Sequence, residues 1–253
     1  MISVITYCRH PESNAVQERN VAKTIGAEYE YLVVDGSKGP LRFAGAYNWA
    51  IAKARGDIVV FIADDCYCMN MNWGPAIAGK FANDPFLGIV GVAGTQYLFA
   101  DKYSWTAAGQ PFVKGRIVYH LQNGDFFAAV FSNEKGDYEV VVCDGCFFAV
   151  RAEVFKNIRF DEKTFQGSQF HDLDLCLQMR AQQVRLIVTS EVTVKKRSQP
   201  VFDEEWQEAG KLFLQKHRQN LPASCAPAVP DPEHIVSSHM VNLKGKASPE
   251  TIC

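Results

Sequence analysis

The chain has 253 residues, 47% of them apolar and 21% charged, with a net charge of −2. This is enough for one large domain or two small ones, and the small net charge gives no general footprint for nucleic acid. No run of about 18 apolar residues offers a transmembrane helix, and "MISVITY" lacks the basic and long apolar regions of a signal peptide.

From the N-terminus, strand and helix signals alternate. "ISVITYC" reads as a strand, and "PESNAVQERNVAKTI" as a helix ending before Gly26. "YEYLVVDGS" is a strand stopped by an Asp-Gly turn. "FAGAYNWAIAKARG" is a helix with Ala46, Ala50 and Ala54 on one face, closed by Gly56. "DIVVFIADD" is a β-branched and aromatic run without helical spacing, the pattern of a fully buried parallel strand. A loop with Trp73, a short helix "GPAIAGKFAND" and a strand "PFLGIVGVAG" follow. The segment from Thr95 to Gly136 is less regular. It holds Tyr97, Trp105, Phe112, Tyr119 and an "NGD" turn at 123–125, and reads as a hairpin or an excursion over a site. "YEVVVCDGCFFAVRAEVF" is a strand, a turn at Asp144-Gly145, a second strand and a helix start. An amphipathic helix opens at His171, "VRLIVTSEVTVKK" supplies two short strands, and "FDEEWQEAGKLFLQKHRQ" is a helix. From Leu221 the polar, Pro- and Ala-rich sequence reads as a tail or arm.

Strands separated by helices predict parallel pairing with right-handed crossovers. Ligands in such sheets bind outside the carboxyl ends of the strands, where Thr6, Tyr7, Asp35, Asp64 and Asp65 fall. No Gly-rich dinucleotide or phosphate loop follows any of these strands. The eight cysteines include Cys66-x-Cys68 and Cys143-x-x-Cys146. Without an export signal these read as reduced, buried thiols rather than a zinc or redox site. The expected location is cytoplasmic or peripheral to a membrane.

Asp64 and Asp65 repel each other, so their adjacency needs a cause: a metal, a turn cap or acid–base work. Asp172 and Asp174 open a helix. At about 100° per residue they point nearly opposite ways, so only one can face a site. The other caps the helix or binds its neighbours. His171 beside them is a base or a turn residue.

In this order, "SVITY", "YLVVDGS", "AGAYNWAIAKARGDIVVFIADD", "DGCFFAVRAEVF" and "FDEKTFQGSQFHDLDLCLQMRA" resemble the family 2 nucleotide-sugar-dependent glycosyltransferases of GT-A fold. The resemblance implies an α/β, Rossmann-like fold: a mainly parallel central sheet flanked by helices, with a smaller antiparallel acceptor-side portion. It implies one domain over 1–220, with a nucleotide-binding half at 1–94 and an acceptor and catalytic half at 95–220. The tail or arm would occupy 221–253. Thr6, Tyr7, Asp35, Asn48, Asp64 and Asp65 would bind the donor, a nucleotide sugar with UDP as the first expectation. Asp65 would hold Mn²⁺ or Mg²⁺ on the diphosphate. Asp144, Gly145 and His171 would lie near the donor sugar and a glycan or glycolipid acceptor, and Asp172 would be the general base of an inverting transfer. Two positions depart from the family pattern. His171 replaces the first acid of the E-D pair, and Lys195, Lys196 and Arg197 stand where a metal-ligating His is common. Lys196 would then meet the donor phosphates as a point charge. A degenerate, binding-only domain and a nucleotidyltransferase are the alternatives.

Overall fold

The computed structural model of the chain describes residues 1–9, 11–37, 42–120, 126–132, 134–231 and 239–243. Its first half alternates as the sequence predicts: β1 (Ile2–Cys8), α1 (Pro11–Thr24), β2 (Tyr29–Asp35), α2 (Phe43–Ile51) and β3 (Ile58–Ile62). Next come β4 (Cys66–Cys68), α3 (Trp73–Asn83), β5 (Leu87–Gly91), β6 (Ala93–Thr95) and β7 (Tyr97–Leu98). A hairpin of β8 (Val113–His120) and β9 (Phe126–Val130) precedes β10 (Asp137–Glu139), β11 (Val142–Cys143) and β12 (Phe147–Arg151). The chain continues through α4 (His171–Ala181), β13 (Arg185–Thr189), β14 (Val194–Lys196), α5 (Glu204–His217), β15 (Ala223–Ser224) and β16 (His239–Leu243).

The central sheet has the order β10-β13-β5-β12-β3-β1-β2. β2, β1, β3, β5 and β13 run one way, with β12 and β10 opposed. Because side chains alternate across a strand, each strand feeds two cores. Ile5, Phe61 and Phe148 face a cluster that takes in α2, α4 and α5. Val4, Val60 and Phe147 face another that takes in Val21 of α1, Ile25 just after it, and Trp73, Ile77 and Phe81 of α3. Burial on both faces is why "IVVFI" is apolar throughout.

The second sheet runs β11-β6-β8-β14-β4, with β9 on β8 and β16 on β9. Two segments that read as single strands in the sequence divide between the sheets. "PFLGIVGVAG" gives β5 to the first and β6 to the second. "YEVVV" gives β10 and β11, with Val140 N–H donating to Leu186 and Val141 N–H to Thr95. Such crossings bring the second sheet over the carboxyl end of β3. The "NGD" turn expected at 123–125 lies outside the described residues. α2 stops at Ile51 rather than near Gly56, because the chain must pass over β1. A Cβ on Gly56 would stand 2.6 Å from the Ser3 nitrogen. Beyond residue 220, β15 pairs with β7 and β16 with β9.

Six described cysteines are buried, Cys225 is half-buried, and all seven are free thiols. Hydrogen bonding to Cys66 and burial push the Cys146 thiol up, the signature of packing rather than reactivity.

Candidate functional site

A cleft of about 560 Å³ opens between the carboxyl end of the central sheet, the second sheet and the start of α4. Asp64 and Asp65 form the middle of a tight turn joining β3 to β4, closed by Cys66 N–H donating to Ala63 at 2.9 Å. The buried Gln17 of α1 holds both ends of that turn, donating to the carbonyls of Ala63 and Cys66. Neither aspartate caps the turn. Asp64 accepts from the Arg9 backbone at 2.8 Å and from its guanidinium at 3.2 Å. Asp65 accepts from Ser198 N–H at 2.8 Å, and Lys196 Nζ stands 3.5 Å from both its oxygens. Burial works against the Asp65 charge. Lys196, the Ser198 hydrogen bond and Arg9 outweigh it and hold the pKa below the usual range.

Asp172 faces the cleft from the first turn of α4. It accepts from the Gly145 backbone, while burial and the neighbouring Asp144 push its carboxyl up to about 7. Asp144 is fixed by Cys146 N–H at 2.9 Å and the Trp105 indole at 3.2 Å. Gly145 has no room for a side chain: a Cβ would lie 2.6 Å from Asp172 Oδ2. α4 opens on Phe170, whose φ of +62° is strained for a bulky residue. Its ring packs on Trp206 and Phe213 at 5.7 and 5.4 Å.

His171 lines the cleft, yet its ring is buried against Phe43 at 4.3 Å, with neither nitrogen meeting a hydrogen-bond partner. Burial lowers its pKa to about 3, so it is a neutral imidazole at physiological pH. Asp174, on the far side of α4, does not cap the helix. It is fully buried, bonded to Lys216 at 2.6 Å and to His217 at 2.7 Å. In β14 the period of two turns Lys196 inward. Lys195 lies over the Phe126 ring and Arg197 over the Tyr67 ring.

A profile of the glycosyltransferase-like family matches residues 5–220. The chain belongs to that family. Two solved glycosyltransferases share its fold. One is GalNAc-T7 with UDP, GalNAc and Mn²⁺, at 10% identity and a TM-score of 0.53 over 81% of this chain and 45% of that one. The other is the mannosyltransferase PcManGT from Pyrobaculum calidifontis with GDP-Man and Mn²⁺. It matches at 15% identity and a TM-score of 0.54 over 91% of this chain and 66% of that one. The chain thus spans less than half of the first protein and about two thirds of the second. No curated protein matches it significantly. The GT-A architecture expected from the sequence is therefore present.

Within this glycosyltransferase fold the expected residues divide. Tyr7, Asp64, Asp144, Gly145, His171, Asp172 and Lys196 line one cleft, and Asp65 is tied to it through Lys196 and Ser198. Asn48 is not among the cleft residues. Its amide donates to Phe160 and Glu162 and accepts from Phe160 N–H, tying α2 to that segment. Its described contacts serve that packing rather than the cleft. Thr6 is fully buried with an unpartnered hydroxyl, away from the cleft surface. Asp35 ends β2, paired with Cys8 of β1, and accepts from Ser37; it is not among the cleft residues. Gly36 next to it leaves room for the Tyr7 ring, which a Cβ would strike at 2.2 Å.

Sequence reasoning missed Arg9, Trp105 and Ser198. Arg9 was within reach of the strand-end rule, since it follows β1 directly. The other two depend on folding over long sequence separation, and no local signal marks them.

The metal that the resemblance implies meets a mixed donor set. Among the described residues no three His, Cys, Asp or Glu side chains are grouped to hold an ion. Asp64, Asp144 and Asp172 nevertheless line the cleft, with Asp65 behind Lys196, and Arg9 and Lys196 are the basic side chains among the described lining residues. That acidic excess, with Asp65 kept ionised, suits a hard divalent ion sharing its coordination with a diphosphate. It does not make an all-protein cage.

Proposed function

We infer that the chain transfers a sugar from a nucleoside diphosphate sugar, with UDP the expected nucleotide, to a hydroxyl of a glycan or glycolipid, with inversion. The observation that carries this is Asp172: a cleft carboxylate raised towards neutrality, seated on the Gly145 backbone and facing the same cleft as the Asp64-Asp65 turn. A base of this kind works best when its pKa lies near the working pH.

Tyr7, Asp35 and the turn after β1 take the nucleotide, and Asp64, fixed by Arg9, faces the ribose or sugar. Lys196 meets the phosphates. Asp65 is the carboxylate that would hold Mn²⁺ or Mg²⁺, which when bound neutralises charge on the leaving diphosphate. Asp172 takes the proton of the acceptor hydroxyl as its oxygen bonds to the anomeric carbon. The bond from that carbon to the diphosphate oxygen breaks, and its electron pair leaves with the nucleoside diphosphate. Asp144 raises the proton affinity of Asp172, and the neutral His171 is placed to hydrogen-bond a sugar hydroxyl. Residues 1–220 form the catalytic unit in this reading, divided at about 94 into nucleotide and acceptor sides, with 221–253 an arm.

The test is nucleoside diphosphate release from a panel of UDP-, GDP- and dTDP-sugars, with proton NMR of the product's anomeric configuration. Inverted product from one donor supports the reading. A retained configuration, or binding of every donor type without turnover, contradicts it.

A further inference from the structure

The charged residues of the cleft belong to the strand ends, the Asp144-Gly145 turn, α4 and β14: Arg9, Asp64, Asp144, Asp172 and Lys196. The wall formed by Tyr103–Thr106, Ser198–Phe202 and Trp206 has uncharged lining side chains, although Trp105 donates to Asp144 and Ser198 N–H to Asp65, and the exposed Asp203, Glu204 and Glu205 separate Phe202 from Trp206 in the chain. It is an aromatic shelf. Tyr103 and Trp206 meet edge-on at 4.9 Å, and Phe202 meets Trp206 at 4.8 Å. Phe202 is 60% exposed, a large apolar side chain turned to solvent at the cleft mouth.

This shelf is built rather than incidental. The Tyr103 ring lies directly on Gly210 of α5, where a Cβ would come within 2.5 Å of it. Gly210 stands one helical turn from Trp206, so one face of α5 seats both rings. Phe170 lies behind them, 6.0 Å from Tyr103 and 5.7 Å from Trp206. Phe170 precedes Asp172 by two residues, so the same strained turn supports the rings and the base. Beside the rings the cleft is lined by Ser104 and Thr106, whose hydroxyls bond each other at 2.8 Å, by Gln199, whose amide donates to the His120 carbonyl at 3.1 Å, and by Gln169.

An exposed aromatic face with uncharged hydrogen-bonding groups beside it matches a ligand with one apolar face and a rim of hydroxyls. A pyranose ring has that form. The lining side chains here carry no charge, which favours a neutral ligand over an ionic one, and the Gln169 amide gives a ring hydroxyl a polar partner that a lipid chain cannot use. We propose that Tyr103, Phe202 and Trp206 form an acceptor subsite that stacks a neutral pyranose unit of a glycan. The inference rests on the glycosyltransferase reading and adds the acceptor's chemical class to it.

The test is a glycan array carrying neutral hexose and N-acetylhexosamine oligosaccharides, sialylated and sulfated glycans, and long-chain alkyl glycosides. Hits are followed by tryptophan fluorescence and saturation-transfer NMR, and UDP and GDP affinity is measured in parallel. The expected result is a neutral oligosaccharide whose ring protons receive saturation from aromatic residues, weakened tenfold or more in Trp206→Ala and Phe202→Ala. Nucleotide affinity should stay within twofold. Phe202 is 60% exposed, so Phe202→Ala removes mostly surface, and melting temperatures of both variants show whether a loss of binding is a folding failure. Gly210→Ala, which displaces Tyr103, should weaken the same glycan. Binding only to acidic glycans or alkyl chains, binding to no glycan, or neutral-glycan binding unchanged in the variants overturns the subsite. Binding of neither nucleotide overturns the glycosyltransferase reading itself.

Discussion

Asp172 and Asp174 stand two residues apart on α4 and do opposite work: Asp172 faces the cleft against Gly145, and Asp174 is fully buried on Lys216 and His217. The helical period alone separates them. One has a polar partner only in the backbone and a neighbouring carboxylate. The other is paired with the Lys216 ammonium and hydrogen-bonded to the His217 ring.

Asp172 titrates where activity is measured. Its carboxyl is pushed up to about 7 by burial and Asp144, and only the ionised form takes a proton. The rate at saturating substrate should therefore rise as pH increases through about 7. The sign for stability is opposite. A folded-state pKa raised above the ordinary 3.8 means the folded chain holds the proton more tightly, so stability falls as pH rises from about 4 to about 7. Asp172→Asn removes that loss. Its melting temperature relative to the parent should be higher at pH 8 than at pH 5, by the equivalent of about 1–2 kcal/mol after allowing for exposure to the cleft.

Asp174→Ala should cost about 1–3 kcal/mol, because it leaves the buried His217 ring without its hydrogen-bond partner and Lys216 with Asp161 alone. Urea unfolding measures this directly. A loss under 1 kcal/mol would show the triad to be incidental.

Gly145→Ala drives a methyl group towards Asp172 Oδ2, at 2.6 Å in the present backbone. The base must move, and small displacements of a reacting group cost on the order of 100-fold in rate. The expected outcome is a large fall in kcat with little change in donor affinity, read by steady-state kinetics and calorimetry.

Lys196 competes with any ion for Asp65. Two unit charges at about 4 Å repel by roughly 4 kcal/mol at an effective dielectric of about 20. Chelation with EDTA should lower activity and added Mn²⁺ should restore it. Lys196→Ala should shift half-saturation by Mn²⁺ to lower concentration while weakening the donor. Mn²⁺ dependence unchanged by Lys196→Ala would place the ion away from Asp65.

Much of this was legible in the sequence because it is local. The buried strand before Asp64, the turn at Asp144-Gly145 and the opposed faces of Asp172 and Asp174 follow from period and turn chemistry. What escaped depends on residues far apart in the chain. Ser198 reaches Asp65 over 133 positions, and Trp105 reaches Asp144 over 39. Val140 and Val141 carry no mark of the change of sheet between them. Asn48 shows the reverse limit. Its place in a motif suggested the donor, whereas its amide is consumed by Phe160 and Glu162.

Asp172 is proposed as the base of a sugar transfer. Its most direct test is Asp172→Asn, with transfer and nucleotide-sugar affinity measured on the same preparation. Transfer should fall by about 10²–10⁴-fold, with donor affinity within threefold of the parent and the rise in rate through pH 7 abolished. A variant that transfers at the parental rate, with the same pH profile, would contradict the account.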